Sequence, residues 1–195
     1  MRRILIFVLL VLSGVFLVGM IISSSGGAEA RGERDKLSET QLKLVSTALE
    51  DSAKFLGSLG NSPGGSGEDQ LRELIWINNE ALLLKHSGIY TMVDETPGLS
   101  KLGYKFSEAP GELQLVIYNI HAKVTNYHYQ PSSQDMTRAR NLSQAVYELS
   151  QTLQGLQSAV YNTDADSQQK LQIYKQKADQ ATKLSQEFLA ELKKE

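Results

Sequence analysis

Residues 142–160 read LSQAVYELSQTLQGLQSAV, and they contain the most regular apolar pattern of the chain. Its apolar members recur at intervals of three and four, at Leu142, Val146, Leu149, Leu153, Leu156 and Val160. An α-helix turns about once every 3.6 residues, so this spacing places all of these side chains on one face. Ser132 and Asp135 precede the stripe and are typical N-terminal capping residues. We therefore predict an amphipathic helix over 132–160, with Gly155 outside its apolar face.

Four further segments carry a comparable apolar stripe, at about 34–59, 66–87, 110–130 and 165–195. Glycine, proline and short polar runs separate these segments, which is typical of turns between helices. Because the linkers are short, consecutive helices are expected to run antiparallel. The sequence therefore predicts an all-α protein, an antiparallel helical bundle of four to five helices behind an N-terminal hydrophobic helix.

The second of these helices has apolar residues around much of its circumference. Its apolar side consists of Leu71, Leu74, Ile75, Leu82 and Leu83, widened by Trp76 and Ile77. Trp76 is the only tryptophan of the chain, and a tryptophan among Leu and Ile residues is typical of a hydrophobic core. We therefore predict that this helix is largely buried and that Trp76 is a core residue.

Residues 88–111 form an irregular segment between the second and third helices. The helical period is interrupted at Gly88, Pro97, Gly98, Gly103 and Pro110. Leu102, Tyr104 and Phe106 alternate as in a strand, but no second strand is predicted with which they could pair. The sequence thus predicts a loop with at most one helical turn in this segment.

Residues 1–30 have the pattern of an export signal. Arg2 and Arg3 precede an uncharged run of nineteen residues that begins with Ile4 and ends with Ile22. At about 1.5 Å per residue this run spans roughly 28 Å as a helix, close to the roughly 30 Å hydrocarbon core of a bilayer. Residues 28–30, Ala-Glu-Ala, instead have the small-x-small form that signal peptidases cleave. An uncleaved signal-anchor helix and a cleaved signal peptide therefore remain two open interpretations.

Both interpretations place residues 31–195 outside the cytoplasm, as a domain that is either membrane-anchored by a single pass or secreted or periplasmic. This domain carries 18 basic and 21 acidic side chains, a net charge of −3 with histidine neutral. Such a balance gives no electrostatic reason to expect a nucleic-acid partner. The chain has no cysteine, which excludes disulfides, thiolate metal sites and a cysteine nucleophile.

A polar and aromatic stripe follows the apolar face of the third helix, one residue later. Its members are Gln114, Tyr118, His121, Thr125 and His128. Tyr127 and Tyr129 flank His128 and make this helix end the densest aromatic point of the chain, where we would look for an interface. Two interpretations compete: a contact surface for a ligand or partner, and a boundary stripe that buries the rings and exposes their polar tips. Both predict partly exposed side chains.

Metal-ion and catalytic sites find no support in the residue spacing. His121 and His128 are seven residues apart, whereas two ligands on one helix face usually lie three or four apart. The polar run at 162–168 places oxygens at alternate positions like a calcium loop, but Ser167 stands where that loop requires glycine. We interpret this run as an interhelix turn with an N-cap. No nucleophile, metal-protease or phosphate-binding motif occurs, so we predict no enzymatic activity and no cofactor.

Two functional hypotheses follow from these observations. The first is an exported, membrane-anchored helical bundle that acts through protein–protein contacts at the outer face of the cytoplasmic membrane, with an unknown protein as partner. The alternative is an extracytoplasmic bundle that binds a small ligand, as a sensing or solute-binding domain. The stripe on the third helix and the irregular segment 88–111 favour the alternative, whereas the signal-anchor interpretation and the regular apolar stripes favour the first hypothesis.

Overall fold

A computed structural model describes residues 39–61, 67–86, 89–90, 105–127 and 129–194 of this protein. The predictions for residues 1–30 and for most of the irregular segment 88–111 lie outside the described residues. Within these ranges the regular secondary structure is helical and contains no strand. The predicted all-α fold is confirmed for this part of the chain.

The described residues include six helices with both ends described, and residues 89–90 are also helical. They are α1 at Glu39–Asn61, α2 at Gly67–His86, α3 at Glu108–Tyr127, α4 at Ser133–Thr152, α5 at Leu156–Ala159 and α6 at Ala165–Leu192. Each predicted helical segment corresponds to one long helix, but α1 ends at Asn61 and α3 begins at Glu108, each two residues beyond the predicted bound. In the described part of the chain, no helix is both long and apolar enough to cross a membrane.

The predicted fourth helix is divided in two, which corrects the prediction of one helix over 132–160. Helix α4 ends at Thr152, and the short α5 begins after Gly155, whose φ of 72° and ψ of 2° lie in the left-handed region. Glycine adopts this conformation without the steric cost that a Cβ atom would bring. Leu153, Leu156 and Val160 stay buried on both sides of the break, so the apolar pattern alone did not reveal it.

Helices α1 and α4 pack closely and run antiparallel. The Ser46 hydroxyl donates to the Ser150 carbonyl oxygen over 3.2 Å at one end. At the other end the Arg140 guanidinium donates to the Gly60 carbonyl oxygen over 3.3 Å. Residue numbers therefore increase along α1 while they decrease along α4.

Helix α1 extends past the end predicted at residue 59, which is a second correction, because Gly60 belongs to this helix contact. A Cβ atom at Gly60 would overlap the Arg140 side chain and lie 3.0 Å from the Met136 carbonyl oxygen. Close approach of two backbones is a common reason for glycine within a helix. Helix α1 continues through Gly60 to Asn61 because packing against α4 outweighs the low helix propensity of glycine.

The remaining long helices complete a closed ring in which each helix packs against two neighbours. In order around the ring these are α1, α4, α6, α3 and α2, with α2 again in contact with α1. Helix α6 runs antiparallel to α4, because Lys177 pairs with Glu148 at 2.6 Å while Arg138 pairs with Glu191 at 3.8 Å. The apolar stripes of all these helices meet in one hydrophobic core.

Helix α2 turns a different face to the core from the one predicted, so the interpretation of Trp76 as a core residue was wrong. Leu74, Ile77 and Leu84 are buried, whereas Trp76 is 52% exposed and Ile75 is 45% exposed. Four consecutive apolar residues at 74–77 cannot share one helix face, because each residue is rotated by about 100° from the last. The packing of α1 and α3 selects which two of them are buried.

Candidate functional site

The contact between α2 and α3 is the setting of the candidate site. Beneath it lies a cleft to which α1 contributes Val45 and Leu49, α2 contributes Ile77 and α3 contributes Gln114 and Ile117. The space in this partly open cleft that can accommodate water is about 20 Å³, and one water molecule needs about 10–15 Å³ by this measure. The cleft thus has room for about one water molecule, and it contributes no observation in favour of a small-ligand site.

The predicted stripe on α3 lies at the outer edge of the α2–α3 contact. Tyr118 is 57% exposed, Thr125 is exposed and His121 is half-buried. Gln114, one turn before Tyr118, lines the cleft together with residues of α2. The spacing of these residues places them on a single flank of α3, and the position of Gln114 identifies it as the flank that borders α2.

The opposite flank of α3 borders α6. There the Glu112 carboxylate accepts a hydrogen bond of 3.3 Å from the amide of Gln186 in α6. Lys123 is two residues from both His121 and Thr125, which is about 200° around the helix, so it points away from the stripe. The Lys123 ammonium lies 5.7 Å from the centre of the Tyr129 ring. Tyr129 is half-buried against the core on this side.

The structure therefore brings together some of the predicted site residues and separates one from them. Tyr118, His121 and Thr125 share one exposed flank of α3, and Tyr129 does not extend that flank. The side chains of Tyr127 and His128 lie outside the described ones. The predicted partial exposure holds for the described members of the stripe.

Helix α2 supplies the other wall of this site, which the sequence did not predict. Glu80 of α2 faces α1, because the Asp51 carboxylate of α1 raises the pKa of Glu80 in addition to the larger effect of burial. Asn78 and Ile75 are two and five residues before Glu80, which places them on the flank away from α1. Leu71 precedes Ile75 by one turn on the same flank. These α2 side chains are half-buried or exposed.

We define the α2–α3 seam as the set of side chains along this outer boundary. Its members are Leu71, Ile75, Asn78, Gln114, Tyr118, His121 and Thr125. None of them carries a formal charge when histidine is neutral. Ile75 and Tyr118 lie within two residues of Ile77 and Ile117, which line the same cleft. Ile75 and Tyr118 therefore lie at a similar level along the axes of α2 and α3.

Other helix boundaries are closed on their outer side by charged groups. Glu148 and Lys177 link α4 to α6 at 2.6 Å. Gln151 donates to the Glu50 carboxylate over 3.2 Å and links α4 to α1. Glu112 accepts a hydrogen bond from α6, as described above. The defined members of the seam include no charged side chain, although Arg72 of α2 is exposed one turn before Ile75.

The described residues contain no cluster of three or more His, Cys, Asp or Glu side chains that could hold a metal ion. The polar run at 162–168 is an N-cap, as predicted. The Asp164 carboxylate accepts a hydrogen bond of 2.9 Å from the Ser167 backbone amide and one of 2.8 Å from the Ser167 hydroxyl. These two hydrogen bonds, of which the one from the backbone amide has the larger effect, hold the pKa of Asp164 below its ordinary value.

No protein-family model, curated protein or solved structure matches this chain.

Proposed function

We propose that this protein is an exported helical bundle that residues 4–22 hold at the outer face of the cytoplasmic membrane, and that it acts through protein–protein contacts of the α2–α3 seam. In this proposal the bundle stands behind an N-terminal hydrophobic helix. It binds other proteins and does not catalyse a reaction.

The observation that carries the proposal is the exposure of large side chains along the seam. Tyr118 is 57% exposed and Ile75 is 45% exposed, and the two side chains lie on the α3 and α2 walls of the same seam. Tyrosine is enriched at protein interfaces because it offers much contact area at low entropy cost. An uncharged strip of this kind is inexpensive to remove from water, since no ionised group has to be desolvated.

The location at a membrane is supported by the sequence of residues 1–30, with their basic start and uncharged run. A protein that works by contact at a membrane surface needs an exposed interface that its partner can reach. A stable bundle with the α2–α3 seam exposed meets this requirement without a cofactor or a conformational change.

Site-specific photo-crosslinking in living cells tests the proposal. Tyr118 is replaced by a photoreactive phenylalanine analogue in the full-length chain, and the matched control carries the analogue at Ile173. Ile173 lies on α6 away from the seam and is 42% exposed. We expect an adduct of one discrete mass from position 118 after irradiation, and no discrete adduct from position 173.

Two results would contradict the proposal. One is the absence of any protein adduct at position 118 in cells that contain the folded chain. The other is the same set of adducts at positions 118 and 173, which would indicate random collisions. Cell fractionation of the same samples tests the location, because the chain should sediment with membranes when residues 4–22 are retained.

A further inference from the structure

We infer that the contact between α1 and α2 is sensitive to protons, so that α2 packs firmly on α1 while Glu80 is protonated and is released locally more often once Glu80 is ionised. The release is a property of the fold and does not depend on the proposed function. Helix α2 also carries one wall of the α2–α3 seam, so the release would disrupt that surface, and this consequence alone rests on the proposed function.

Glu80 occupies an unfavourable position for an ionised carboxylate. It lies on the flank of α2 that faces α1, and its Oε2 atom is buried without a hydrogen-bond partner among the described residues. A buried carboxylate oxygen that accepts no hydrogen bond loses its hydration without compensation. The protonated carboxyl avoids most of this penalty. The ionisation of Glu80 therefore opposes the packing of α2 on α1.

The charged groups that face Glu80 come from α1. Burial has the largest effect on the pKa of Glu80 and raises it, Asp51 raises it further, and Lys54 lowers it. The Lys54 ammonium is paired with the Asp51 carboxylate at 2.8 Å, so its charge is shared between two acidic groups. Ionisation of Glu80 thus places two carboxylates and one ammonium at this helix contact, which leaves one negative charge uncompensated.

Helices α2 and α3 bring no described charge close to this position. Helix α3 contributes Gln114, a neutral side chain, to the cleft that the residue after Glu80 also lines. Tyr118 and His121 are the titratable side chains on the same flank of α3, and they lie one and two turns beyond Gln114. On α2 itself, Glu73 shares the flank of Glu80 at a distance of two turns and is exposed. The two α1 side chains therefore decide the charge balance.

The release is local because few side chains hold α2 in place. In the stretch 71–81 of α2, two side chains are buried, Leu74 and Ile77. The equally long stretch 139–149 of α4 contains five buried side chains. Segments with few buried apolar contacts open at a lower free energy than the whole domain unfolds. The penalty of one ionised carboxylate therefore acts first on α2.

The sign of the pH dependence follows from the raised pKa of Glu80. Release exposes the carboxyl to water and returns its pKa towards the ordinary value of 4.5. Below that value Glu80 is protonated in both states, and its contribution favours packing most. As the pH rises through the raised pKa, the released state binds fewer protons than the packed state, so its population increases. Helix α2 is thus held in acid and released more often at neutral pH.

Hydrogen–deuterium exchange tests this inference on the purified full-length chain in detergent, at pH 4 and at pH 7. Mass spectrometry of peptides from α2 and α4 gives protection factors, which are corrected for the intrinsic pH dependence of amide exchange. We expect the protection of α2 to be at least about two-fold lower at pH 7 than at pH 4, without such a fall in α4. Glu80→Gln should abolish the fall in α2, whereas the matched control Glu73→Gln should retain it.

Two variants of α1 should shift this fall in opposite directions, which a merely structural role of Glu80 would not produce. Lys54→Gln removes the attraction and leaves Asp51, so the fall in α2 protection should become larger. Asp51→Asn removes the repulsion and leaves Lys54, so the fall should become smaller. Both side chains are partly or largely exposed, so both variants should fold, which an unchanged helical circular dichroism spectrum would verify.

The inference is overturned if α2 of the parent is equally protected at both pH values, or if Glu80→Gln keeps the fall. It is also overturned if α4 loses protection together with α2, since the whole domain would then be unfolding, or if both α1 variants shift the fall in the same direction. Exchange is measured without a partner. Failure of photo-crosslinking at position 118 would therefore refute the proposed function and leave this inference intact, and the converse also holds.

Discussion

The Ser143 hydroxyl of α4 donates a hydrogen bond of 2.6 Å to the Ala53 carbonyl oxygen of α1. A side chain can reach the backbone of a neighbouring helix in this way only where the two helices are very close. Gly57 and Gly60 lie on the same side of α1, and a Cβ atom at Gly57 would be 3.1 Å from the Ser143 Oγ. Small residues on α1 thus set the distance between the two helices.

The first prediction concerns this close approach. Gly60→Ala should lower the free energy of unfolding by about 1–3 kcal/mol, because the new Cβ atom meets the backbone of α4 at Met136. The matched control is Gly111→Ala in α3, where a Cβ atom would meet no atom within 4 Å. The control should be more stable than the parent by up to about 1 kcal/mol, since alanine is the better helix former. Urea unfolding measures both; equal effects of the two changes would contradict the packing described.

The second prediction concerns the core stripe of α4. Val146→Asp should lower the free energy of unfolding by more than about 3 kcal/mol, because it buries an unpaired carboxylate at a fully buried position. Tyr147→Asp is the control at the next residue, which is 50% exposed. It should change stability by no more than about 0.5 kcal/mol. Similar midpoints for the two variants would show that α4 does not pack on the face assigned to it.

The third prediction concerns the pH dependence of stability at Glu80. Burial raises the pKa of Glu80, and its Oε2 atom has no hydrogen-bond partner among the described residues. A carboxyl with a raised pKa destabilises the folded state when it is ionised, and this penalty disappears once it is protonated. Glu80→Gln should therefore raise the melting temperature at pH 7. The gain should shrink as the pH falls through the raised pKa of Glu80 and should be absent below the ordinary value of 4.5.

Glu148 serves as a control for Glu80, because its pKa is shifted in the opposite direction. Hydrogen bonds from Lys177 and then from Gln144 lower the pKa of Glu148. Its ionised form therefore stabilises the folded state above the ordinary pKa, and that stabilisation is lost as the pH falls through the lowered value. Glu148→Gln should lower the melting temperature at pH 7 and have little effect at pH 3. If both substitutions shift the melting temperature in the same direction at pH 7, the pKa direction assigned to one of the two carboxylates is wrong.

The fourth prediction concerns Gly155 between α4 and α5. Its φ of 72° is in a region that side chains with a Cβ atom rarely adopt. Gly155→Ala should therefore lower stability by about 1–2 kcal/mol, although a Cβ atom there would meet no neighbour within 4 Å. Gly155→Asn should lose less, because asparagine tolerates the left-handed region better. Thermal unfolding of the two variants provides the comparison, and an alanine variant as stable as the parent would contradict the assigned backbone conformation.

Local signals in the sequence were sufficient for the positions of the long helices and for two of their caps. Ser132 and Asp135 form the reciprocal capping box that begins α4, with the Asp135 amide donating to the Ser132 hydroxyl over 3.1 Å. Asp164 caps α6, where its side chain accepts a hydrogen bond from the Ser167 backbone amide. Such features depend on residues three apart in one segment, so they can be read without knowledge of the tertiary structure.

The faces that meet between helices could not be predicted in the same way. The run at 74–77 allowed several orientations of α2, and the neighbouring helices decided that Trp76 is exposed. Glycine is a residue type typical of loops, and only the contact of Gly60 with α4 explains why it lies in a helix. The α3 wall of the candidate site was predicted from the stripe that contains Tyr118. The α2 wall was not predicted, because the packing of the neighbouring helices determines which face of α2 is exposed.

The most direct test of the central claim is the accessibility of the seam in the cell. Single-cysteine variants Tyr118→Cys and Ile173→Cys of the full-length chain are labelled with a membrane-impermeant maleimide, once in intact cells and once as dilute purified protein. If a protein covers the seam, position 118 should react at least ten-fold more slowly in cells than when purified, while position 173 reacts at similar rates in both. Equal rates at position 118 in cells and in dilute solution would contradict the claim that the seam is a contact surface.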